Sequence, residues 1–140
     1  PAMLPEAIKE RAMARALSRF HDTRIEPLIR AYFGQVAPTN RNVDFIAENA
    51  ALLERRFLQL AETRTPSPLL TGADLSLADC GFAPSFAIID CLQGLLRFDL
   101  TLPASIKAYQ AALCAHPSVK DEYADYVKAL DEWAVAKMAG

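Results

Sequence analysis

Two histidines, three cysteines and an aspartate that follows a serine by three residues are the groups in this 140-residue sequence with chemistry to offer. His21 and His116 stand far apart. Neither belongs to an H-E-x-x-H pair, and the chain has no G-x-S-x-G nucleophile turn and no glycine-rich phosphate loop. His21, Asp22 and Glu26 are of ligand type, yet positions i, i+1 and i+5 do not converge on one helical face, so no metal site is expected. Cys80, Cys91 and Cys114 form no C-x-x-C pair. On one straight helix Cys80 and Cys91 would lie roughly 16 Å apart, beyond disulfide reach. All three sit in apolar runs and read as buried, reduced thiols, which suits a cytoplasmic protein.

Asp79 is placed for structure rather than for catalysis. Ser76, three residues earlier, can accept from the N–H of Asp79 while the Asp79 carboxylate accepts from the N–H of Ser76. Those donors would hold the carboxylate ionised. Leu75 and Cys80 take the two apolar staple positions around this box. Losing either box side chain should cost about 1–2 kcal/mol.

The elements that must carry these groups are helices. Short alternating β-branched runs are missing, and only five glycines are spread along the chain. From about Glu6 to Phe33, Ile8, Ala12, Ala16 or Leu17, Phe20, Arg24 or Ile25, Leu28 and Tyr32 recur every three to four residues as an apolar stripe. Pro27 should kink this helix against the carbonyl of Thr23. Val43, Ile46, Ala50, Leu53, Phe57 and Leu60 mark a second helix, with Asn49, Glu54, Arg55 and Glu62 on its wet side. Thr65-Pro66-Ser67-Pro68 ends it, and Gly72 opens a turn. From Gly81 to Leu96 the pattern is nearly apolar all round, interrupted by Pro84 and Asp90, and reads as a buried central helix rather than a membrane span. Pro103 and Pro117 each stand at the start of a further helix, and His116 before Pro117 reads as a helix-start residue. The expected fold is all-α, a bundle of five to six helices around a central buried helix, with residues 1–140 forming a single domain.

Composition narrows the function classes. At 52% hydrophobic and 23% charged, the chain has enough apolar side chain to collapse. A net charge of −2 gives no electrostatic footprint for nucleic acid. Residues 1–70 carry ten Lys/Arg against eight Asp/Glu and residues 71–140 five against nine, a tilt too small to name a partner. The residues alone thus indicate a helical domain without an active site.

Leu70-Thr71-Gly72-x-x-Leu75-Ser76-Leu77-Ala78-Asp79 resembles the opening of the central helix in the C-terminal domain of glutathione S-transferases, a G-x-x-[ST]-x-A-D box. Met3-Leu4-Pro5-Glu6 before an Arg/Ala-rich helix resembles the stretch joining the two domains in bacterial members, and His116-Pro117 resembles the family's [RH]-P helix start. Cys80 departs from the larger aliphatic usual at its position.

The resemblance implies that a thioredoxin-like N-terminal domain, absent from this sequence, binds glutathione as co-substrate and supplies the thiol-activating residue. Pro1 would then lie at or just after the interdomain link, and the 140-residue fragment would be inactive by itself. It would contribute a wall of the pocket for a small electrophile, and its first two helices would pair in a homodimer. The kinked middle of the first helix would approach the cleft, bringing His21, Asp22, Arg24 and Phe20 to the substrates, with Tyr32 and Phe33 as further apolar lining. Asp22 would meet the amino group of the γ-glutamyl end of glutathione, against a plainer pairing with Arg19 on a solvated face. A detoxifying transferase is the expected parent. The alternatives are a helical protein-interaction module of the same fold and a free-standing bundle that binds an apolar ligand. No nucleic-acid or membrane partner is expected.

Overall fold

A computed structural model describes residues 3–138; Pro1, the expected interdomain link, lies outside the described residues. Helix α1 spans Ile8–Phe20 and runs into a π-helical turn, His21–Ile25, which continues as α2, Glu26–Ala31. Two 3-10 turns, Tyr32–Gln35 and Pro38–Asn40, lead to α3, Val43–Thr63. After a long loop come α4, Phe82–Leu96; α5, Ala104–Cys114; and α6, Lys120–Met138. Among the described residues no strand forms beyond an isolated bridge between Leu69 and Gly72. The chain is all-α, as its periodicity indicates.

The kink expected at Pro27 is taken up one turn earlier. Proline lacks the N–H that α-helical bonding requires, and the ladder widens at His21–Ile25 instead, with Ile25 at φ −103°. This shifts the buried stripe. Ala14, Leu17, His21, Ile25, Ile29 and Tyr32 face the core, while Ile8 is 79% exposed and Ala12 and Ala16 are exposed too. A histidine therefore takes the place on the stripe that the spacing of apolar residues gives to Phe20, which is half-buried.

Helix α3 follows its expected face from Ile46 through Ala50, Leu53 and Phe57 to Leu60, but Val43 is 76% exposed and Asn49 is buried. The Asn49 amide donates to the carbonyl of Leu28 at 2.8 Å, one of the carbonyls that the end of α2 leaves without a helical partner. Asn42 caps α3 by accepting from the N–H of Phe45 at 3.0 Å.

Helix α4 is the central element, packed against α2, α5 and α6. Phe82, Phe86, Ile89, Leu92 and Leu96 are buried, while Pro84, Asp90 and Gly94 reach the surface. Phe82 and Phe86 meet the Tyr109 ring edge-on at 5.7 and 5.8 Å, joining α4 to α5. Regular helix begins at Phe82 rather than directly after Ser76, and residues 77–81 form turns. In the loop before it, Gly72 has a φ of +123°, a backbone state that side chains disfavour. The loop is strapped down by Arg64, which donates to the carbonyl of Leu70 at 3.0 Å and pairs with Glu10 of α1 at 2.9 Å. No helix among the described residues is long and apolar enough to cross a membrane.

Candidate functional site

Two clusters gather the chemistry-bearing side chains, and they meet at Gly81. The first is built on Asp79, which is 0% exposed. Its Oδ2 accepts from the N–H and the hydroxyl of Ser76, both at 3.0 Å, and its Oδ1 accepts from the N–H of Leu70 at 3.1 Å and the Tyr109 hydroxyl at 3.0 Å. Ser76 does not cap the N–H of Asp79 with its side chain. Its hydroxyl accepts from the N–H of Ala78 at 3.3 Å, and its carbonyl takes the N–H of Asp79 at 3.0 Å. Leu77 adds a tie to the N-terminal segment by donating to the carbonyl of Met3 at 2.7 Å. Burial, followed by the charge of Asp79, pushes the Tyr109 hydroxyl well above its usual range, so it remains a donor. These hydrogen bonds join the loop before α4 to α5.

The second cluster stands at the π-turn. His21 is buried, its ring edge-on to Phe82 at 4.8 Å. Nε2 lies 2.8 Å from the Ser85 hydroxyl of α4, and Nδ1 lies 2.9 Å from Oδ1 of Asp22, whose side chain is 57% exposed. The ring packs so tightly on the α4 entrance that a Cβ on Gly81 would fall 2.5 Å from its Cε1 and Nδ1. This close approach, rather than the turn, is what requires glycine there. Serine, histidine and aspartate in a row suggest a nucleophile relay. Here, however, the serine is buried within α4, so the row works as a strut from α4 to the π-turn.

Asp22 pairs with His21 rather than with Arg19. Asp22, Thr23 and Arg24 form the exposed edge of the turn, which Thr23 secures by donating to the carbonyl of Arg19 at 2.7 Å. Phe20 packs half-buried against the core. Tyr32 is buried and stacked on Phe98, its hydroxyl pushed up to about 12 chiefly by burial, while Phe33 is 42% exposed beside Trp133. Among the described residues no group of three His, Cys, Asp or Glu side chains could hold a metal.

A cavity of about 360 Å³, lined in part by Asp79 and Cys80, lies where α6 leans over the approach to α4 and the end of α5. Leu75, Ala83, Pro84 and Val119 give it an apolar wall, and Cys80 and Tyr123 also face it. Cys80 is exposed, against the expectation of a buried thiol, and Cys91 and Cys114 are half-buried. Partial desolvation, then the neighbouring Asp79 charge, raises the Cys80 thiol, which disfavours the thiolate. Neither the cavity nor the His21 strut is legible from local spacing, because both arise from α4 meeting remote segments.

No protein-family model matches the sequence, and no curated protein matches it. Among solved structures, a Tau-class glutathione S-transferase from mango, Mangifera indica, shares the fold with a TM-score of 0.67 at 16% identity. The likeness covers 93% of this chain and 63% of that one. This chain thus has the helical fold of a glutathione S-transferase C-terminal domain and spans under two-thirds of the similar chain.

Proposed function

We propose that these 140 residues are the helical domain of a glutathione-conjugating transferase whose thioredoxin-like domain binds the thiol. The observation that carries this is the fold likeness to a glutathione S-transferase over 93% of the chain. In the reaction, the partner domain lowers the thiol pKa of glutathione, and the thiolate attacks an electrophilic carbon. The π-turn lies beside the cleft and offers the exposed Asp22 carboxylate to the α-ammonium group of the γ-glutamyl end, with Arg24 next to it and Phe20 in the apolar wall. A second copy pairs through the first two helical segments. The outward stripe of α3, with Val43, Ala47, Ala51 and Leu58 all exposed, supports that pairing. The single-domain boundary at 1–140, the bacterial type, the cytoplasmic location and the detoxifying role belong to the same proposal.

Native mass in the source cells is the first test: a species larger than 15.4 kDa by about one small domain is expected. That protein should conjugate glutathione to a chloronitrobenzene, while the 140-residue chain alone should not. Asp22→Ala should raise the glutathione KM about tenfold with little change in kcat. A native mass equal to that of this chain would overturn the proposal in favour of an interaction module.

A further inference from the structure

With a neutral ring, the row from Ser85 through His21 to Asp22 admits one proton order. An ionised carboxylate only accepts, so the 2.9 Å contact requires the proton on Nδ1 of His21. In the neutral ring Nε2 is then an acceptor, and the Ser85 hydroxyl at 2.8 Å must donate to it. Turning the ring over would replace both nitrogens by carbons and break both bonds. The Gly81 backbone and the edge contact to Phe82 leave the ring little freedom to adjust in other ways.

We propose that His21 is the positioning residue for Asp22: anchored on α4, it holds Oδ1 of an exposed carboxylate and turns Oδ2 outward to receive a ligand's primary ammonium group. This rests on Asp22 as the contact for the γ-glutamyl amine. Among the described residues Oδ2 of Asp22 carries no hydrogen bond, so it is free for that donor. Without His21, an aspartate on the outside of a π-turn would sample several rotamers, and binding would have to fix one of them. Phe82 and Ser85, which seat the ring, belong to the same α4 entrance that Asp79 holds in place. The carboxylate's direction is thereby tied to the central helix.

Two substitutions separate positioning from packing. The amide nitrogen of His21→Asn overlaps Nδ1 and keeps the donor to Asp22, while that of His21→Gln overlaps Nε2 and reaches only Ser85. In the complete protein, glutathione affinity should stay within about twofold for His21→Asn and fall about tenfold for His21→Gln, with kcat at saturation little changed. Ring nitrogen NMR shifts of His21 should show the Nδ1–H tautomer, and Asp22→Ala should abolish that preference. An Nε2–H tautomer, or equal affinities for the two His21 variants, overturns the positioning role even if Asp22→Ala weakens binding. Unchanged affinity in Asp22→Ala beside an intact Nδ1–H signal in the unmodified protein instead overturns the ligand contact on which the role rests.

Discussion

Removing the Asp79 side chain would orphan four donors at once: two N–H groups and two hydroxyls, all in the interior. Each unsatisfied buried group costs about 1–3 kcal/mol, partly recovered where a hydroxyl can rotate to another acceptor. Asp79→Ala should therefore cost about 4 kcal/mol, well beyond the loss of an ordinary helix cap. Tyr109→Phe removes a single donor to a charge and should cost about 2 kcal/mol. Urea midpoints read both, and a loss below about 1 kcal/mol for Asp79→Ala would show that the box does not hold the interior. Half of this cluster is legible in the sequence, because Ser76 and Asp79 meet at i and i+3. Leu70 and Tyr109 reach the same carboxylate from nine and thirty residues away, and no local pattern encodes that. His21 and Asn49 are missed for a related reason: each is a polar residue whose burial is offset by a bond to another segment, so a search for apolar spacing passes over it.

Helix ends show where element geometry departs from what propensity favours. Helix α4 stops at Arg97, which adopts the left-handed conformation at φ 57° and donates its N–H to the carbonyl of Gln93 at 2.9 Å. Glycine is the usual residue in that state, because any Cβ crowds the carbonyl there. Arg97→Gly should raise stability by about 1 kcal/mol, seen as a thermal midpoint a few degrees higher. An unchanged or lower midpoint would mean that the arginine side chain offsets its backbone strain. Regularity of geometry also decides which elements the sequence announces. The core stripe of α3 is legible from Ile46 to Leu60 because regular α-geometry persists along its length. The α1–α2 stripe slips because a π-turn widens the spacing within it, and neither Pro27 nor any neighbour states where the widening falls. Helix α6 has apolar residues at helical spacing but none fully buried, so its pattern marks a face that packs without closing the cavity beside α4.

At the scale of the whole molecule, the alkaline limit of the fold follows from where its tyrosines sit. All four are raised above the ordinary value of 10, in each case chiefly by burial, with Tyr32 at about 12 and Tyr109 higher still. An acid whose folded pKa lies above its unfolded pKa keeps its proton in the native state while the unfolded chain releases it. Stability is then unaffected below the unfolded value and falls as pH rises from there towards the folded value. For Tyr32 and Tyr109, which are 1% and 0% exposed, that window opens near pH 10. Each contributes a slope approaching about 1.4 kcal/mol per pH unit, about 3 together, enough to exhaust an ordinary folding free energy within a few units. The three thiols, raised from 9 mainly by burial, begin the same decline slightly earlier. Urea midpoints should accordingly be flat from about pH 7 to 8.5 and drop steeply above about 10. Tyr109→Phe removes one titrating group, so its slope above about pH 10 should be shallower by up to about 1.4 kcal/mol per pH unit even though its midpoint at about pH 7 is lower. Parallel slopes for the two proteins would show that Tyr109 ionises as readily in the fold as outside it, and the Asp79 cluster would then not be the sealed interior that its four hydrogen bonds describe.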